Sequence, residues 1–447
     1  MSLCHLLIRA GCGIVMLSSP ALLAADLVGT YRDALEQDAQ FASARASYLA
    51  GLEKLPQARA GILPSINLSA NTALNERDLA FRNNTPGGGE SRYNANGYSV
   101  TASQPLYRQQ NFAAYRQGDL AATQAGTQFE IASQELILRV AQAYVDVLLA
   151  QDNLALAGAQ KSAIAEQLES AKRNFEVGTA TITDTHEAQA RYDLVSSQEI
   201  AASSDLEIKQ RALQMMTGKA PETLAVLGKR FVLSPPQPQD ATHWITLAQE
   251  KNLQIAVAQA AYQIADSEIT RNIGGHMPTL DLVASYSESG QGAGVAGGGG
   301  GVGSDTTTKA VGLQLALPLF QGGGQQSRVR EAYALREKAL QDMENTKRNA
   351  ALTTRAAYLG VVNGMAQVKA LEQALTSTQS QLDSTKLGQE VGVRTGVDVL
   401  NAQQQLYSAR RDLAQARYNY LLSKLKLEAA VGDLREDDVQ QINAAFQ

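Results

Sequence analysis

A spacing of 214 residues runs through this chain and duplicates almost everything after its N-terminus. Ala34 recurs as Ala248, Gln40 as Gln254, Pro64 as Pro278, Leu68 as Leu282 and Tyr144 as Tyr358. Farther on, Leu168 returns as Leu382, Val177-Gly178 as Val391-Gly392, Asp184 as Asp398, Ala188-Gln189 as Ala402-Gln403, and Gly218 as Gly432. Around Pro105 and Pro318 the offset is 213, as a one-residue insertion or deletion leaves it. Solenoid repeats have periods of roughly 20–50 residues, so this one is of another kind. Each half-chain is an architectural unit, and the protomer is pseudo-twofold.

The chain divides accordingly into residues 1–25, a first repeat over 26–218, a connector over 219–244, a second repeat over 245–434 and a tail over 435–447. Residues 1–25 carry one basic residue, Arg9, an apolar stretch through Ile14-Val15-Met16-Leu17, and small residues at Ala21, Ala24 and Ala25. That is the pattern of a cleaved secretory signal. Both cysteines, Cys4 and Cys12, lie inside it, so the mature chain has no thiol for a disulfide or a metal site. The formal net charge is −5, and losing Arg9 makes it one unit more negative. An acidic export product is a poor match to nucleic acid, which favours basic patches. Beyond the signal no apolar run reaches the roughly 20 residues of a membrane helix. Entry into a bilayer therefore requires a closed β-barrel, the other structure that satisfies its backbone there.

Each repeat reads as short helices, strand, polar loop, strand, very long helix, tight break and second long helix. Residues 26–60 are alanine-rich at helical spacing, and 245–273 answer them. The period then changes to two. Strands are expected at 62–76 and 96–105, where Ile66, Leu68, Ala70, Thr72 and Leu74 alternate with polar residues, as do Tyr98, Val100 and Ala102. Their counterparts are expected at 277–289 and 308–318, with Leu280, Leu282, Ala284 and Tyr286, then Val311, Leu313, Leu315 and Leu317. One apolar face over about ten residues suits a membrane barrel strand and equally a half-buried soluble strand. The loops Asn83–Glu90 and Gly290–Asp305 are glycine-rich but lack the Gly-Lys-Ser/Thr of a phosphate loop, and read as exposed loops.

Residues 108–176 and 322–389 are expected to be helical throughout. Ile137, Val140, Tyr144, Val147, Leu154, Ala165, Leu168 and Phe175 follow one another at three, four or sums of threes and fours, in the alanine-padded manner of a coiled coil. At 1.5 Å per residue such a helix is roughly 100 Å long, which implies a projecting tube or stalk. Four strands cannot close a membrane barrel, which starts at about eight. Partner strands must come from further copies, and cyclic symmetry leaves no open edge. Two, three or four copies all satisfy that requirement.

Taken together, the signal, Leu63-Pro64 and Met277-Pro278, Gln104-Pro105-Leu106 and Leu317-Pro318-Leu319 point to one family. So do Val177-Gly178-Thr179-Ala180-Thr181-Ile182-Thr183-Asp184, Val391-Gly392-Val393-Arg394-Thr395-Gly396-Val397-Asp398-Val399-Leu400, and Ala416-Arg417-Tyr418-Asn419-Tyr420-Leu421. With these the chain resembles the TolC family of outer-membrane channel proteins over nearly its whole mature length. The resemblance implies an α+β membrane protein. It would be a homotrimer whose twelve-stranded β-barrel in outer-membrane lipid continues into a twelve-helix coiled-coil periplasmic tunnel. It also implies export of small molecules or proteins with a periplasmic adaptor and an inner-membrane transporter, and no cofactor or enzymatic activity. The chain ends soon after Leu434, without the longer tail of some members. A periplasmic coiled-coil adaptor without its own pore is the alternative, and it leaves the four alternating strands without lipid to face.

Members close the periplasmic end by coiling helix pairs inward. Carried onto this sequence, Asp398 stands for the acidic aperture ring, with Asn401 where a second aspartate is frequent. Thr183, Asp184 and Arg394 stand for the polar links that hold the coils shut, and Gln389 replaces a tyrosine. Three copies of Asp398 around one axis would concentrate negative potential. The same residues have plainer readings: Asp184 with Glu187 fits a capping box, and Asp398 fits a helix cap. Tyr107 and Phe320, at the strand-to-helix joints, suit either interfacial anchoring or junction packing. His186, His243 and His276 stand singly, with no ligand partners at metal spacing.

Overall fold

The computed structural model describes residues 25–79, 89–220, 223–228, 231–293, 295–296, 299–300 and 302–446. The signal, except Ala25, most of the first glycine-rich loop, and residues 294, 297–298 and 301 of the second lie outside the described residues.

The first repeat comprises helices α1 (Leu27–Gln37), α2 (Ala39–Leu52) and α3 (Lys54–Ala60), strands β1 (Ser65–Leu79) and β2 (Gly89–Tyr107), then α4 (Gln109–Glu176) and α5 (Ile182–Thr217). The second comprises α6 (Ala241–Lys251), α7 (Leu253–Ile273), β3 (Thr279–Gln291), the two-residue β4 (Val295–Ala296) and β5 (Gly299–Gly300), then β6 (Ser304–Ala316), α8 (Gly324–Glu390) and α9 (Gly396–Val431). Helix α7 stands where α2 and α3 stand in the first repeat. The break there comes from Pro56, whose ring excludes the carbonyl of Leu52 and ends α2 at that residue. Thr270 at the matching position lets α7 run on unbroken.

The strand bounds differ from those expected. Pro64 and Pro278 precede rather than open their strands, and β6 stops at Ala316 because Pro318 has no N–H to donate. Strand β2 begins at Gly89 instead of 96, since Glu90, Arg92 and Asn94 put polar residues on the face that is apolar from Tyr98 onward and so break its alternation. They pair with β1 nonetheless, and Arg92 lies directly opposite Glu76 at 2.6 Å. The expected tail folds in part as α10 (Glu436–Asn443), which has three acids in its first turn and buries Val439 and Ile442.

Helices α4 and α8 contain 68 and 67 residues, so each spans roughly 100 Å. Their ends nearest the sheet pack on α7, and their far ends coil with α5 and α9. No described helix is long and apolar enough to cross a membrane. The main core lies midway, where Leu136, Val140, Tyr144 and Val147 of α4 meet Leu421, Leu425 and Val431 of α9 and Phe446. Tyr144 is fully buried and donates to the carbonyl of Ala225 at 2.8 Å, and burial pushes its hydroxyl pKa well up. Asp38 caps α2 through the Phe41 N–H at 2.7 Å and takes a forked pair of bonds from Arg139 at 2.9 and 3.1 Å. Burial alone would raise its carboxyl, but these bonds and the Arg139 charge outweigh that and hold it below the usual range. The second repeat places neutral Asn252 there, capping α7 and donating to the Ala430 carbonyl at 2.8 Å.

Candidate functional site

The four long strands form one antiparallel sheet in the order β1-β2-β3-β6. Its register sorts the side chains into two faces. Ile66, Ala102, Ala284 and Val311 form one row; Leu68, Val100, Tyr286 and Lys309 form the next. Toward the helices the same face continues through Leu282 and Leu313, then Leu280 and Leu315. From Leu280 to Tyr286 it covers roughly 20 Å at about 3.3 Å per residue. The opposite face carries Asn67, Thr101 and Ser285, then Ser69, Ser99, Ser287 and Thr308. Ile66, Leu68, Val311, Leu313 and Leu315 are 67–77% exposed. Side chains of this kind need an apolar medium, and a single sheet with one apolar and one polar face suits a wall between lipid and water. At the outer end Tyr98 and Tyr286 approach to 6.2 Å between ring centroids, and the Lys309 ammonium lies over Tyr286. This aromatic pair sits where an interfacial girdle is expected.

Among the described residues, the outer edges of β1 and β6 have no ladder partner. The directions alternate across the sheet, so the two edge strands, β1 and β6, run antiparallel to each other. At the junction with the helices β2 bulges at Leu106, and Arg108 forks onto Asp281 at 2.8 and 2.6 Å. The Tyr107 hydroxyl donates to the Met277 sulfur at 3.6 Å, whereas Phe320 is 87% exposed.

At the far end, the two coils turn at Val177–Thr181 and Val391–Thr395. Gly178 and Gly392 have φ of 78° and 80°, a conformation that favours glycine. The two turns are built alike. Thr181 and Thr395 are N-caps, and each shares a reciprocal capping box with the aspartate three residues on, Asp184 or Asp398. The capping box expected from Asp184 and Glu187 therefore lies one step upstream, because Thr181 already offers the hydroxyl at the N-cap. Asp398 Oδ2 accepts from the Thr395 N–H and hydroxyl, both at 3.0 Å. The backbone bond first, then the hydroxyl, with help from the Arg394 charge, keeps the Asp398 carboxyl below its ordinary range. A helix cap is thus one role of Asp398. Thr183 is exposed, and within one chain Arg394 forms no hydrogen bond or ion pair with Thr183 or Asp184 among the described residues. Gln389 and Asp184 line the same small cleft without bonding to each other.

The structure gives Asn401 a partner that the sequence did not reveal. Its Oδ1 accepts from Arg191 Nη2 at 2.8 Å, and Arg191 also bonds to the Gln404 side chain and lies 4.0 Å from Glu187. Glu187 and Arg191 form an i,i+4 pair on α5, which was the one visible signal. Beside this link, Leu400 of α9 is buried in the seam of the first coil among Ile164, Leu168, Ala188 and Val195.

The family model described as outer membrane efflux protein matches this chain twice, over residues 30–219 and 244–433. The chain belongs to the outer membrane efflux protein family. The two matches cover nearly all of both repeats, and the apolar sheet face has its setting in the outer membrane, where this family member acts as an efflux or secretion channel. It is 36% identical to outer membrane protein TolC of Vibrio cholerae over 430 residues, which cover 96% of this chain and 95% of that one. It is 34% identical to the alkaline protease secretion protein AprF of Pseudomonas aeruginosa, covering 94% and 87% of the two chains. The fold is also that of the CmeC outer membrane channel of Campylobacter jejuni, with a TM-score of 0.77, 17% identity and coverage of 94% and 90%. None of these supports a periplasmic adaptor without a pore.

Proposed function

We propose that three copies of this family member close into a twelve-stranded barrel above a twelve-helix tunnel, gated at the turns of the coiled coils. One observation carries the reading: a four-stranded antiparallel sheet with an apolar face, a polar face and two edges of complementary direction. Closing that sheet on copies of itself removes both edges and keeps every neighbour antiparallel. Three copies of two repeats give a nearly sixfold tube, which accounts for the duplication. Exported drugs or proteins pass along the polar face, delivered by an inner-membrane transporter through a periplasmic adaptor. A protein cargo is favoured by the likeness to AprF, whose name specifies protease secretion.

At the aperture Asp398 supplies the acidic ring, and Arg394 of one copy reaches Thr183 or Asp184 of the next. A charge-assisted bond of that kind is breakable by a partner offering competing contacts. The mature protein, reconstituted in a planar bilayer, is expected to conduct ions, and Asp398→Ala is expected to weaken block by divalent cations. A folded trimer that stays electrically silent would refute the pore, and unchanged block would leave Asp398 as a helix cap alone.

A further inference from the structure

We infer that Arg191 is a positioning residue of the gate, a latch that holds the two coiled coils of one protomer together. The inference rests on the channel reading and adds to it a control point within the chain. The α4–α5 coil and the α8–α9 coil are joined by few polar contacts. Nearer the membrane, the Tyr418 hydroxyl of α9 donates to Asp152 of α4 at 2.9 Å. Between that bond and the turns, the cross-coil hydrogen bonds among the described residues are those that Arg191 makes with Asn401 and Gln404. The guanidinium fork matches two amide oxygens three residues apart, which share one face of α9. Glu187, one turn back on α5, faces the same guanidinium and helps hold it in place.

Leu400 makes the position mechanical. Its side chain fills a hole between α4 and α5 while its neighbour Asn401 is held by Arg191. Any outward swing of α9 must withdraw Leu400 and break both amide bonds together. On the membrane side of the link a cavity of about 360 Å³ separates the coils, lined in part by Gln160, Gln198, Tyr407 and Arg411. The coils are therefore clasped at one level rather than packed along their whole length, and a clasp at one level can release as a unit. Asn401 acquires a different role from an aperture residue: its amide oxygen is committed to Arg191 within the protomer.

The two roles give opposite expectations for Asn401→Asp. As a clasp residue, an aspartate forms an ion pair with Arg191, tightens the link and lowers conductance. As an aperture residue, it adds negative charge to the ring and raises cation conductance whatever stands at 191.

The test is single-channel conductance of the full mature chain in planar bilayers, with trimer formation and helix content checked for each variant. Arg191→Ala is expected to raise mean conductance roughly two- to fivefold, the scale of a lost, partly exposed polar link. Arg191→Lys, which keeps the charge but not the fork, should give a smaller rise and serves if the alanine variant does not assemble. Asn401→Asp should lower conductance when Arg191 is present and lose that effect when Arg191 is replaced. Wild-type conductance in both Arg191 variants would overturn the latch, as would a rise in Asn401→Asp that ignores residue 191. A silent wild-type trimer instead refutes the channel reading itself, so the two failures are distinguishable.

Discussion

The two repeats leave the sheet in different ways. In the first, β2 runs through Pro105 by bulging at Leu106, and Arg108 locks the start of α4 onto Asp281 of β3. In the second, β6 ends at Ala316 and the chain crosses to α8 through Leu317–Gly323, with Gly322 and Gly323 at φ of 61° and 79°. Leu319 and Phe320 on that crossing are 89% and 87% exposed. Position explains the contrast. Strand β2 has neighbours on both sides within its own chain, whereas β6 is an edge. The inner joint is completed by its own ion pair, and the outer one leaves its apolar side chains exposed.

The largest effect that would sharpen this comparison is at Arg108. Replacing it by alanine leaves the Asp281 carboxylate, 7% exposed, without a counter-ion. A loss of about 2–3 kcal/mol is expected, at the low end for a broken buried pair because Arg108 is itself partly exposed. Gln321→Ala, at the matching place in the second repeat, should cost less than about 0.5 kcal/mol. Urea midpoints of the reconstituted protein check both, and equal costs would break the comparison.

A smaller difference is expected at the helix ends Gly218 and Gly432, with φ of 72° and 95°. A Cβ at 432 would lie 2.5 Å from the Lys251 carbonyl oxygen, whereas one at 218 would meet the flexible Gln37 side chain at 3.2 Å. Gly432→Ala should therefore cost about 2 kcal/mol and Gly218→Ala about 1 kcal/mol. Thermal unfolding of the two variants measures the gap.

The smallest effect concerns Asp38 and Asn252. The Asp38 carboxyl is held below its ordinary range, so the stability it contributes is present above the unfolded value near 4 and is lost as pH falls through the folded one. Asp38→Asn should cost about 1 kcal/mol at neutral pH and flatten the acid limb of a stability profile. Asn252 does not titrate, so its repeat contributes no such limb. An unchanged acid limb in the variant would mean that the Arg139 link is not what protects the first repeat.

Much of this contrast was legible beforehand, and some of it was not. The alternation of Leu280, Leu282, Ala284 and Tyr286 announced a strand, because side chains of a strand facing lipid must repeat every two residues. The polar start of β2 did not, since a ladder extending into water imposes no such pattern. Thr181 and Thr395 have no pattern of their own that marks them as caps beside Asp184 and Asp398. Arg191 was hidden more deeply: its partners Asn401 and Gln404 lie more than 200 residues away, and a link between two coils has no local signature.

The duplication, the faces of the strands and the lengths of the helices belong to the sequence alone, because each is a periodicity of neighbouring residues and backbone geometry turns it directly into shape. Which edge strand stays open, which strand-to-helix joint is pinned, and which side chains bridge the two coils belong to the tertiary structure. Those choices depend on what the folded chain brings alongside each residue, and neither repeat, identical in plan, contains that information by itself.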